Sequence, residues 1–196
     1  MGKHRKSWFV ATTAAVISLS LSVVTLANTE SENTAALERE AVSIVKRFAG
    51  KLKPQLKQAI TAAGFEHAIN VCSVEAPKIA QTLSEETGWE VKRVSLKARN
   101  NASATPDPFE RDVLNSFDQR QQAGEAPATM KHAEVVANEF RFIKAQGVEG
   151  LCLNCHGKSI APEVQKVLDK HYPDDMATGY LLGQVRGAFS LTKTLE

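Results

Sequence analysis

Two of the three cysteines in this 196-residue chain fall within one five-residue stretch, Cys152-Leu153-Asn154-Cys155-His156. Whatever fold carries this stretch must present two thiols and an imidazole from a single short turn. The spacing has a chemical reading. Thiols three positions apart reach the two vinyl groups along one edge of a haem and form thioethers, while the adjacent imidazole is carried under the iron as proximal ligand. The expected cofactor is therefore one covalent haem c on Cys152 and Cys155, with His156 as an axial metal ligand. Gly150 and Gly157 flank the stretch, and the expectation is that they let the backbone pass close to the macrocycle. Competing chemistries fit less well. A redox dithiol usually opens a helix after a strand in a βαβ pattern, which is lacking here. A zinc site needs a second ligand pair, and only His171 lies at a suitable distance.

The second axial position has several candidates: Cys72, His67, His132, His171, Met130 and Met176. Cys72 stands out, because an unpaired thiol in an oxidising compartment is a liability unless buried or bound. It lies on a largely apolar stretch, Ala68-Ile69-Asn70-Val71-Cys72. As a thiolate on iron it would be a strong donor. The competing reading is a buried structural cysteine, among the most buried of residue types. Haem propionates want cationic or amide partners, and Arg93, Lys97, Arg99 and Arg186 are the candidates, each otherwise a solvated surface charge.

The compartment is read from the N-terminus. Lys3-His4-Arg5-Lys6 precedes an apolar run from Trp8 to Leu26, and Thr25-Leu26-Ala27 offers small residues for cleavage. That order is a secretory signal, residues 1–27, and it places the mature protein in the periplasm. If retained, residues 8–26 would associate the protein with the inner membrane, although their Ser and Thr content makes a weak span. The formal net charge is +2, and loss of Lys3, Arg5 and Lys6 leaves the mature chain nearly neutral. No nucleic-acid footprint is expected.

Apolar spacing predicts a helix over 33–63, with Pro54 kinking or restarting it and Gly64 stopping it. A short helical stretch over 65–71 and a helix over 75–87 follow. Residues 89–96 read as a strand, 100–108 as a loop, and 109–122 as a helix. A hairpin is expected around Ala137-Asn138, a helix over 162–170, and a last strand over 184–192. Helices first and strands later favour an α+β fold with an antiparallel sheet. The expected organisation is a helical arm over 28–64 and a domain over 65–196.

Several motifs together carry a resemblance. They are Asn70-Val71-Cys72-Ser73, Gly88-Trp89, the run Arg93 to Asn100, Cys152 to Gly157, and Tyr172-Pro173-Asp174-Asp175-Met176-Ala177-Thr178-Gly179-Tyr180 with Arg186 to Ser190. Over residues 35–192 the chain resembles a family of exported haem-c-binding domains of uncharacterised role. The resemblance implies a PAS-like fold, an antiparallel sheet with flanking helices. It also implies a single haem with His156 as ligand, and it favours Cys72 as the sixth ligand. The expected function is that of a monohaem c-type cytochrome exchanging electrons with a redox partner protein. The alternative is a haem-based sensor of redox state or gas acting through a partner. An enzyme is the least favoured class, because no distal His/Arg pair is evident.

Overall fold

The computed structural model describes residues 17–196, with side chains from Glu32 onward. The basic residues 3–6 and Trp8 of the expected signal lie outside the described residues. Among the described residues no helix is long and apolar enough to cross a membrane. The chain divides into two compact units, Met1–Leu37 and Glu38–Glu196.

Helix α1 (Ile17–Asn70) is interrupted at Ala63 and Gly64, where Gly64 takes φ 75°. Pro54 is accommodated inside the helix, so the break falls at the glycine rather than at the proline. Cβ-free Gly64 adopts positive φ without the steric penalty that other residues meet. After Asn70 the backbone widens into a π-helical segment, Val71–Glu75, that runs directly into α2 (Ala76–Thr87). Gly88, at φ 68°, ends α2 with its N–H on the Ser84 carbonyl. Strand β1 (Glu90–Val94) follows. The loop expected over 100–108 contains a one-turn helix, α3 (Asn101–Ala104). Helix α4 (Pro108–Gln122) starts with a reciprocal cap. Asp107 accepts from the Glu110 N–H, and Glu110 accepts from the Asp107 N–H. The hairpin forms as expected, β2 (Lys131–Val136) and β3 (Glu139–Gly147), turning at Ala137 with φ 55°. A 3-10 turn (Gly150–Cys152), α5 (Leu153–His156), α6 (Pro162–His171) and β4 (Val185–Thr194) complete the chain.

The four strands form one antiparallel sheet in the order β1-β4-β3-β2, so the fold is α+β with flanking helices. Alternation along the strands gives the sheet two different faces. On one face Val94, Ile143, Ala145 and Ala188 pack against Val113, Leu114 and Phe117 of α4. Glu110 is fully buried on this side, where it accepts from the Ser190 hydroxyl at 2.6 Å. Lys92 at 3.1 Å and Arg141 at 3.3 Å supply its counter-charges. On the other face Phe189 meets Phe48 of α1 edge-on at 5.1 Å, and Phe140 meets Trp89 at 5.9 Å. Strands β1 and β4 come especially close at one point. A Cβ on Gly187 of β4 would lie 2.4 Å from the Val94 carbonyl, so only glycine lets β4 and the end of β1 approach this closely.

Candidate functional site

The α1-covered face of the sheet borders a cavity of about 460 Å³, within the range of roughly 300–1,000 Å³ for cofactor sites. Leu52, Leu56 and Ile60 of α1, together with Phe65 and Val91, give it apolar walls. Cys152, Cys155 and His156 enter it from the 150–156 turns, and Cys72 enters it from the π-helical segment. Three thiols and an imidazole from distant stretches of sequence thus share one chamber.

His156 is held through Nδ1, 2.7 Å from the Ala177 carbonyl oxygen. A carbonyl can only accept, so Nδ1 carries the ring proton and donates it there. The guanidinium Nε of Arg186 also approaches Nδ1, at 3.1 Å. Since Nδ1 has no lone pair left to accept with, that approach is an electrostatic contact. Nε2 has no hydrogen-bond partner among the described residues, which leaves it available to a metal. Burial, then the Arg186 and Arg99 charges, push the imidazole pKa down to about 2. The ring is neutral across the physiological range, the form that ligates. Burial likewise raises the Cys155 thiol to about 11 and pushes the Cys72 thiol up, with Arg93 and Arg99 pulling Cys72 the other way. Without a metal the two thiols are protonated; metal binding would release the proton of a ligating one.

The backbone around the cysteines is pinned by the 175–180 loop. Gly157 donates to Leu153 O, Gly179 to Gly157 O, and Tyr180 to His156 O, each at 2.9 Å. One of the two flanking glycines has a reason within the chain itself, beside the expected approach to a macrocycle. A Cβ on Gly157 would sit 2.5 Å from the Leu153 carbonyl oxygen, whereas Gly150 meets nothing within 4 Å. The constraint at Gly157 is the chain's own backbone.

The four basic candidates separate clearly. Arg99 is committed to Asp175, at 2.9–3.0 Å, and to the Cys155 carbonyl. Lys97 bonds the Thr178 carbonyl and lies over the Tyr180 ring. Arg186 donates to Ser95 Oγ at 2.9 Å and to Lys97 O at 3.2 Å. Arg93 lines the cavity, stacks over the Phe48 ring at 5.3 Å, and has no hydrogen-bond or ion-pair partner among the described residues. A half-buried cation beside apolar walls with no anionic partner among the described residues suits an anion. Burial lowers the Arg93 pKa, which expresses the cost of that charge.

Of the other axial candidates, Met130 is buried in the α4-side core, and His132 pairs with Glu134 on β2. His67, His171 and Met176 are exposed. None of these five lines the cavity; Cys72 does. Tyr172 also lines it, a lining residue that sequence reading did not single out. A covalently held haem suits this donor set. It pairs two thiols and a neutral imidazole from one turn with a third thiol, apolar walls and an uncompensated cation.

A family model described as Tll0287-like matches residues 18–193, and the chain belongs to that family. Among solved structures, the chain is similar to the "Crystal structure of the cyanobacterial heme-protein Tll0287". The TM-score is 0.62 at 20% sequence identity, covering 79% of this chain and 92% of that one. That likeness establishes the fold. No curated protein matches.

Proposed function

We propose that this member of the Tll0287-like family is a haem-binding protein, an exported monohaem c-type cytochrome. Cys152 and Cys155 would hold the haem through thioethers, and His156, through Nε2, and Cys72 would be the residues that ligate its iron. The observation that carries the reading is the meeting of Cys72, Cys152, Cys155 and His156 in one cavity. The name of the structural relative as a heme-protein points the same way. When bound, the haem supplies a one-electron ferric/ferrous couple. The chain's own residues do the rest. The apolar walls exclude water, Arg93 offers a counter-charge for a propionate, and the Ala177 carbonyl fixes the imidazole tautomer. Cys72 would give up its proton to ligate, and as a thiolate donor it would lower the potential.

The proposed physiological role is electron exchange with a redox partner protein in the periplasm, after export by residues 1–27. A second reading, a redox or gas sensor, is favoured by one feature. Cys72 sits on the π-helical segment Val71–Glu75, a backbone form frequent at functional sites, and a thiolate that leaves the metal on a change of state would act as a switch.

The test is a pair of spectra. Protein produced with haem-c maturation machinery should show a low-spin ferric spectrum, and the reduced form should resist carbon monoxide. Cys72→Ala should lose the low-spin ferric signature and bind carbon monoxide when reduced. An identical spectrum in the variant overturns Cys72 ligation. Rapid carbon monoxide binding by the reduced parent would transfer the role from carrier to sensor.

A further inference from the structure

The Tyr172–Tyr180 stretch supplies no ligand, yet it wraps the C-x-x-C-H turn closely. The carbonyl that accepts from His156 Nδ1 belongs to Ala177, and the Ala177 N–H donates to Asp175 Oδ1 at 2.7 Å. The other Asp175 oxygen lies 3.0 Å from Arg99 Nε and 2.9 Å from Arg99 Nη2. Arg99 Nη2 also donates to the Cys155 carbonyl and, at 3.4 Å, to the Ala177 carbonyl. One guanidinium therefore bridges the cysteine turn and the loop that faces His156. The Arg99 and Asp175 side chains are only 10% and 6% exposed, so neither charge has water to fall back on if its partner is lost. The loop is anchored once more where Met176 N–H meets Ala98 O at 3.0 Å, one residue from Arg99.

We propose that Arg99 and Asp175 are positioning residues for His156, their ion pair holding the Ala177 carbonyl against Nδ1–H and so setting the orientation and basicity of the imidazole. The proposal rests on the reading of His156 as proximal ligand. An acceptor on the remote ring nitrogen makes the ligating nitrogen a better donor. A better donor favours the oxidised metal, so slackening this hydrogen bond raises the reduction potential. Arg99, a propionate candidate on sequence grounds, lines the cavity, but its guanidinium is already bonded to Asp175 and to the Cys155 and Ala177 carbonyls.

The experiment compares the parent, Asp175→Asn, and the double variant Arg99→Met/Asp175→Asn, whose net charge equals the parent's. Two quantities are read: the reduction potential of the haem-loaded protein and the exchange rate of the His156 Nδ1 proton, by 15N-edited NMR. Both variants should raise the potential, by about tenfold in the ferric-to-ferrous ratio, which is 59 mV for one electron. The Nδ1 proton should exchange faster in both. A shift in the single variant that vanishes in the charge-balanced double would reveal a bare charge effect and overturn the proposal. No shift in either variant overturns it as well. If Asp175→Asn does not fold, Asp175→Glu, which keeps the charge and displaces the carboxylate, is expected to shift both readouts in the same direction. The failure of the functional reading looks different. A parent without bound haem defeats that reading, while Nδ1 proton exchange in the haem-free chain still reports on the Arg99–Asp175 clamp.

Discussion

Replacing Gly157 by alanine tests whether the cysteine turn is shaped by its own backbone. The added Cβ would lie 2.5 Å from Leu153 O, against a comfortable carbon–oxygen contact of about 3.3 Å. The turn must therefore open by about 0.8 Å. Overpacking of this kind costs about 1–3 kcal/mol. The opening also loosens two backbone hydrogen bonds, Gly157 N to Leu153 O and Gly179 N to Gly157 O, each worth about 0.5–1.5 kcal/mol. The combined loss is about 2–6 kcal/mol, which for a domain of this size lowers the melting temperature by roughly 10 °C. Gly150→Ala is the control. Nothing lies within 4 Å of its would-be Cβ, so stability should change by less than about 1 kcal/mol. Thermal unfolding followed by circular dichroism, on the same preparation of all three proteins, decides the matter. If Gly157→Ala melts with the parent, or if Gly150→Ala falls as far, the steric argument is wrong.

Two further outcomes follow from buried charge. Glu110→Ala removes the acceptor shared by Ser190, Lys92 and Arg141 and should cost about 3–5 kcal/mol in urea unfolding; a loss below about 1 kcal/mol would show that the network contributes little. The haem-free chain should also lose stability in mild acid. Burial, with Arg186 and Arg99, holds the His156 pKa far below its ordinary 6.5, so as pH falls through 6.5 the unfolded chain takes up a proton that the folded chain refuses. Stability should then fall by about 1.4 kcal/mol per pH unit, and His156→Gln should flatten urea midpoints measured between pH 7 and pH 5. An equal slope in the variant would place the acid sensitivity elsewhere.

The parts of the site legible in the sequence are those whose chemistry forces neighbouring residues together. Cys152, Cys155 and His156 must be contiguous to serve one cofactor, and the hairpin at Ala137-Asn138 is a local event. The α4 start was also within reach, since Asp107 and Glu110 have the spacing of a capping box. What stayed hidden depends on the fold. Arg99 and Asp175 are 76 positions apart, and the partner of His156 is a backbone carbonyl, which every residue possesses. The separation of Arg93 from Arg99, Lys97 and Arg186 likewise required knowing which cations already have partners. Met130 and His132 stood behind Cys72 as candidate ligands, and their places, in the α4-side core and beside Glu134 on β2, remove them. The kink or restart expected at Pro54 is not what the fold shows, whereas the stop expected at Gly64 is where the helix breaks.

The central claim is that one haem is bonded to Cys152 and Cys155. Intact mass spectrometry of the denatured protein, matured with haem-c machinery, measures this directly. The account predicts the mass of the polypeptide plus one haem, retained without folding and lost in the Cys152→Ala/Cys155→Ala variant. The mass of the bare polypeptide alone would contradict it.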